Sequence, residues 1–166
     1  MILRLAASLL LVLGACDQTP SGAPAPVATG AGASLERAAV EAGIVADPKA
    51  IDPVGAYASD TDRLCLTANE DAYRIGASID YGEGQGCLAR GTAKGRETLR
   101  IDFGADCQFD ASFEGERVTF PAIVPTACER RCTGRASFSA LTAQRLSGAA
   151  AEARAMRGPD GEPLCG

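Results

Sequence analysis

Hydrophobic and polar positions alternate along most of the chain beyond Val54. Tyr73, Ile75, Ala77, Ile79 and Tyr81 fall on one side of an extended segment, with Arg74, Gly76, Ser78 and Asp80 on the other. The same period places Leu99, Ile101 and Phe103 opposite Arg100 and Asp102. It places Cys107, Phe109, Ala111 and Phe113 opposite Gln108, Asp110, Ser112 and Glu114, and continues through Val118, Phe120, Ala122 and Val124. A last strand is expected over residues 136–146. Turn residues separate the runs: Ala68-Asn69-Glu70-Asp71, Gly82-Glu83-Gly84, Lys94-Gly95, Gly104-Ala105-Asp106 and Gly115-Glu116. Short strands joined by short loops predict an antiparallel meander, and clean alternation predicts one buried face and one wet face. A flat sheet would leave its apolar face open. The expected fold is therefore mainly β, a meander curled into a small barrel or sandwich, with a short helix at each end.

The period changes to 3.6 in the flanking segments. Over residues 34–45, Leu35, Ala38, Ala39 and Ala42 share a helical face, with Ser34 at the N-cap position and Gly43 as the C-cap candidate. This face is expected to pack on the domain that follows. Asp47-Pro48 and Asp52-Pro53 then mark an extended connection that completes a segment over 34–53. At the other end Ser147 is expected to cap an alanine-rich helix over 148–156, stopped by Gly158-Pro159. The globular body, residues 54–166, suits one small domain.

The first third of the chain reads differently. Arg4 is followed by an apolar run over 5–13, then by Leu13-Gly14-Ala15-Cys16. The run is too short to span a bilayer, which needs about 20 residues. Charge, apolar run, small residues and cysteine in that order resemble the signal peptide and lipobox of bacterial lipoproteins. The resemblance implies removal of a signal peptide over 1–15, acylation of Cys16, and anchoring in the cell envelope facing the periplasm. Asp17 is similar to the residue that retains such proteins in the inner membrane of enteric bacteria, although inner and outer membrane both stay open. Residues 16–33 then form a tether of Pro, Gly, Ala and Thr that cannot bury enough surface to order itself. Its coil averages about 20–25 Å from end to end.

Seven cysteines less Cys16 leave Cys65, Cys87, Cys107, Cys128, Cys132 and Cys165. An even number in an exported domain predicts a disulfide framework. Six cysteines allow 15 connectivities. Cys87 and Cys107 flank one intervening strand and both can face the core, whereas Cys165 must close onto something distant, for which Cys65 is a candidate. Cys128 and Cys132 are read as staples at one loop, and the competing reading is a redox pair with a thiol acidified by neighbouring arginines.

Composition narrows the chemistry further. The chain has no histidine, which removes the Ser-His-Asp and Cys-His arrangements and the imidazole base. Cys128-x-x-x-Cys132 also lacks the paired CxxC spacing of zinc sites, and thiolate zinc does not suit an oxidising compartment, so no metal or cofactor is expected. Asp80 with Glu83 is a carboxylate pair available for acid–base work. Gly82-Glu83-Gly84-Gln85-Gly86 lacks the spacing of a phosphate loop and reads as a wide hairpin connection. Asp60, Asp62, Asn69 and Asp71 could gather around calcium, but their spacing is not that of an EF-hand.

Of the 16 basic residues only Arg4 precedes Cys16, which leaves 15 against 21 acidic residues, a balance of −6 that disfavours nucleic acid. Against that background Arg130, Arg131 and Arg135 concentrate in one cysteine-bearing loop, a candidate binding site for an acidic ligand or partner. The alternative is that they pair with the domain's own acids. Two function classes follow. One is a non-catalytic, lipid-anchored binding module, either resembling small periplasmic lysozyme inhibitors, or holding a ligand in a barrel mouth, as the similarity of Val54-Gly55-Ala56-Tyr57 to the Gly-x-aromatic opening of lipocalin-like barrels implies. A purely structural link between membrane and wall belongs beside it. The other class is a small envelope enzyme using carboxylates or the Cys128/Cys132 pair.

Overall fold

The structure, a computed structural model, describes residues 30–45 and 52–166. The expected signal peptide, Cys16 and the tether up to residue 29 lie outside the described residues. Eight strands follow one another around a closed antiparallel barrel: β1 (Gly55–Ala58), β2 (Asp62–Asn69), β3 (Ala72–Asp80), β4 (Gly86–Lys94), β5 (Thr98–Asp102), β6 (Gln108–Phe113), β7 (Arg117–Thr119) and β8 (Thr142–Ser147). Among the described residues three short helices accompany them, α1 (Ala31–Glu41), α2 (Thr126–Glu129) and α3 (Ala150–Ala155). Every strand pairs with its sequence neighbours, and β8 closes onto β1 with Arg145 opposite Tyr57. Closure leaves no unpaired edge, which decides for a barrel over a sandwich.

The alternation predicted from sequence is the inside–outside pattern of the wall. Leu64, Leu66, Ile75, Ile79, Leu99, Ile101 and Val118 are at most 1 % exposed. Eight strands enclose a lumen just wide enough for side chains to fill, and here they do. Towards the end where β5 turns into β6, Phe103, Phe109, Phe120 and Phe138 form an aromatic cluster, with ring centroids 4.8 Å apart for Phe109 and Phe120 and 5.7 Å for Phe103 and Phe138.

Three strand expectations need correction. Tyr81, placed on the buried side by alternation, lies one residue past the end of β3 and is 54 % exposed. The run through Val124 stops as a strand at Thr119, and Ala122 is exposed rather than core-facing. Pro121 and Pro125 have no N–H to donate, so the chain leaves the wall after Phe120. The last strand begins at Thr142, not 136. Ala140 takes a positive φ of 59° that breaks the extended run, and Phe138 is inserted into the core from a loop. Residues 120–141 are thus a long connection containing α2, folded across one end of the barrel.

The helices also depart from expectation at their ends. Helix α1 starts three residues before Ser34, whose hydroxyl donates back to Gly30 O instead of capping. No residue of α1 is buried, and Leu35 is largely exposed. The turn that follows α1 meets the domain, where Ala151 N donates to Gly43 O at 2.9 Å. At α3 the N-cap position belongs to Ala149, and Ser147, two residues earlier, accepts from Ala149 N through its Oγ.

The outer face is not all wet. Cys65, Ala153, Leu164 and Cys165 form a second buried cluster between the outside of β2 and the C-terminal segment, with Leu88 and Met156 against it. Opposite Cys65 on β3 is Gly76, where a Cβ would lie 2.0 Å from Leu164 O, so only glycine admits this close approach. Arg90 clamps the same segment through Nε to Pro163 O at 2.8 Å and Nη2 to Asp160 at 2.8 Å.

All six cysteines among the described residues are paired. Cys65 bonds to Cys165, as the distant closure suggested, Cys87 to Cys132, and Cys107 to Cys128. Cys87 and Cys107 both face the core, yet each is joined to the long connection and not to the other. Cys128 and Cys132 are not a redox pair. They are two separate staples, one on each side of the loop between them.

Candidate functional site

The two ends of the barrel differ. At the capped end, which the β1–β2 turn shares, the β3–β4 and β5–β6 turns meet the 120–141 connection. Helix α2 is a single turn that carries Cys128 inward to Cys107, at a Cα separation of 4.7 Å. Glu129 steadies the cap by accepting from Ser137 Oγ at 2.7 Å, and Ser139 Oγ accepts from Val124 N at 3.2 Å. Residues 131–133 then run antiparallel to the start of β4. Leu88 N donates to Arg131 O at 3.2 Å and Thr133 N donates to Gly86 O at 2.8 Å. Thr133 Oγ1 donates to Gly84 O at 2.6 Å, which ties in the glycine-rich turn and bears out its reading as a hairpin connection.

Arg130, Arg131 and Arg135 are brought to this end together, but not as three free cations. Arg131 Nη2 donates to Phe103 O and to Gly104 O, and Arg130 Nη2 donates to Ala105 O at 3.4 Å. Their partners are backbone carbonyls of the β5–β6 turn and not the domain's acids. The two guanidinium groups therefore help to hold the cap down. Arg135 is exposed and carries the loop's outward charge. Beside Arg131 a cleft of about 250 Å³ opens between the glycine-rich turn and the C-terminal segment, walled by Ile79, Gln85, Cys87, Leu88, Thr133 and Pro159.

The opposite end holds a residue that the alternation obscured. Arg145 shares the inward face of β8 with Ala143, and its side chain is only 13 % exposed. Nη1 donates to Val54 O at 2.7 Å, Nη2 to Asp52 O at 2.8 Å and Gly115 O at 2.8 Å, and Nε to Gly115 O at 3.1 Å. The guanidinium carbon lies 5.0 Å from the Tyr57 ring centre and 5.4 Å from that of Phe113. Tyr57 is wholly buried and donates its hydroxyl to Pro53 O at 2.7 Å. Burial pushes its phenol well above the usual range, although Arg145 pulls the other way. The signal available in the sequence was parity: Leu141, Ala143 and Arg145 are two apart, and the first two are apolar.

The remaining sequence candidates scatter. Asp60 and Asp62 sit at the β1–β2 turn and Asn69 and Asp71 at the β2–β3 turn, at opposite ends of an eight-residue strand and about 23 Å apart, so they do not converge on one ion. Among the described residues no group of three or more His, Cys, Asp or Glu is placed to hold a metal. Asp80 is occupied locally, its Oδ1 accepting from Gly82 N at 2.9 Å. In the Val54-Gly55-Ala56-Tyr57 stretch the last three residues are buried, with Tyr57 in the core. No protein-family model, curated protein or solved structure matches the chain.

Proposed function

We propose that this protein is a lipid-anchored, non-catalytic binding module of the bacterial envelope, tethered through acyl chains on Cys16 and facing the periplasm. It recognises a partner protein with the outside of its capped end, in an inhibitor-like or scaffold role. The observation that carries the reading is the filled lumen. Inward side chains from every strand meet at the axis, so recognition falls to the surface and not to a cavity of the kind that holds a small ligand in a lipocalin mouth.

Two further features support it. Six paired cysteines leave Cys16 as the one cysteine without a disulfide assignment, which suits acylation. The cap also presents Ile123, 85 % exposed, together with Arg135, an apolar anchor and a guanidinium of the kinds that carry interface energy. Two acyl groups anchor stably where one does not.

The test joins fractionation with capture. Cys16→Ser is expected to move the protein from the membrane to the soluble fraction with the barrel intact, and a membrane-bound variant refutes the anchor. Solubilised envelope passed over the tagged protein is expected to yield a partner that an Ile123→Asp/Arg135→Glu variant fails to retain. Equal retention by both refutes the assignment of the binding face.

A further inference from the structure

The cleft beside Arg131 has a disulfide in its wall. Cys87 and Cys132 are partners in an isolated antiparallel bridge, flanked by the hydrogen bonds Leu88 N to Arg131 O and Thr133 N to Gly86 O. That makes them a directly opposed, non-hydrogen-bonded pair, the closest approach two strands make, at about 4.5 Å between Cα atoms. Their Cα separation is 4.0 Å. Disulfides ordinarily favour a separation of roughly 4.4 to 6.8 Å, and a bond held outside that range by its backbone is easier to reduce. The other two staples lie inside it, at 4.7 Å and 6.0 Å, and neither joins paired strands. Access separates them as well. Cys65, Cys107, Cys128 and Cys165 are at most 3 % exposed, whereas in the third pair Cys87, itself 2 % exposed, lines the cleft and Cys132, between the cleft residues Arg131 and Thr133, is only partly buried.

We propose that Cys87–Cys132 is a thiol–disulfide exchange site, opened by a dithiol that enters at the cleft, while the other two disulfides remain structural. A thiolate of the dithiol attacks Cys132 Sγ, the bond to Cys87 Sγ breaks, and Cys87 leaves as a thiolate that takes a proton from water. The second thiol of the donor then displaces Cys132. The protein ends with two thiols and the donor with one disulfide, a transfer of two electrons and two protons. Opening this bond unlatches residues 131–133 from β4 and the glycine-rich turn from Thr133. Helix α2 stays fixed by Cys107–Cys128, so the cleft widens without uncapping the aromatic cluster. This proposal is independent of the membrane anchor, since its readout is the chemistry of the folded barrel.

The test uses the full chain under native conditions. Any free thiols are first blocked with N-ethylmaleimide. Dithiothreitol is then added stepwise, each sample is quenched with iodoacetamide, and labelled peptides are mapped by mass. Cys87 and Cys132 are expected to take label together and about tenfold or more ahead of the other four cysteines. Near-ultraviolet circular dichroism should be retained, and hydrogen exchange should be faster at the amides of Leu88 and Thr133. A different pair opening first, all three opening together, or none opening before the barrel unfolds overturns the proposal. In a Cys87→Ser/Cys132→Ser variant the early step should vanish, and its persistence assigns the labile bond elsewhere.

Discussion

Replacing Arg145 with methionine removes the guanidinium from the open end of the barrel while keeping most of the stem's volume. Four hydrogen bonds to three carbonyls are lost, from Asp52, Val54 and Gly115, along with the two ring contacts to Tyr57 and Phe113. Hydrogen bonds to a charged group contribute about 1.5 to 3 kcal/mol each when the partner is left dry. Here the carbonyls lie at the rim and water can reach them once the head is gone, so only part of that sum is lost. The ring contacts add about 1 to 2 kcal/mol, and relief of the guanidinium's own desolvation works in the opposite direction. A net loss of about 3 kcal/mol follows, which is about 10 to 15 °C in Tm for a barrel of this size. Urea unfolding should show a lower midpoint at unchanged slope, because the same surface is exposed. Arg145→Lys should recover less than half of the loss, since an ammonium cannot span three carbonyls as a planar fork does. A methionine variant within about 1 kcal/mol of the parent would refute the clamp, the lower figure being that of an ordinary surface pair.

Tyr57→Phe should cost about 1 kcal/mol at neutral pH, where it deletes the bond to Pro53 O. The sign reverses in alkali. The folded phenol titrates above its ordinary value of 10.0, so the stability it is linked to is fully present below pH 10 and falls once the unfolded chain ionises, by about 1.4 kcal/mol per pH unit. Phenylalanine lacks that loss, and urea midpoints of the two proteins should converge and then cross above pH 10. Parallel curves would show that Tyr57 is not held neutral by burial. Gly76→Ala forces a methyl against Leu164 O and should lift the C-terminal segment, at a cost of about 2 to 3 kcal/mol. Thiol titration should then find Cys65 and Cys165 partly reduced in an otherwise folded barrel, and full pairing would show that the segment adapts.

The wall of the barrel could be read from the sequence because period-2 alternation reports burial directly. Residues 73–79, 99–103 and 107–113 needed nothing beyond it. Alternation is silent about loops that carry core residues. Phe138 fills the lumen as fully as Leu99 does, yet it arrives from an irregular segment after a positive-φ break at Ala140. Proline was the signal that should have ended β7 earlier, since Pro121 follows the last ladder positions directly. Charge misled in both directions. Arg145 reads as solvent-facing by type and is inward by parity, while Arg130 and Arg131 read as a cationic surface and are bound to carbonyls of their own chain. Disulfide connectivity depends on which loops cross the barrel end, a tertiary property. Only Cys65 with Cys165 was accessible, because distance along the chain left it few partners.

The three disulfides are nested: residues 107 and 128 lie within 87 and 132, which lie within 65 and 165. A chain delivered from its N-terminus and oxidised in order of appearance would join Cys65 to Cys87 and Cys132 to Cys165, and only the innermost link would be correct. Productive maturation must instead run from the middle outward, with Cys65 kept waiting until a hundred further residues have emerged. Such a protein depends on catalysed reshuffling of its early links, and its yield should track the isomerase capacity of the compartment in which it matures more closely than the supply of oxidant there.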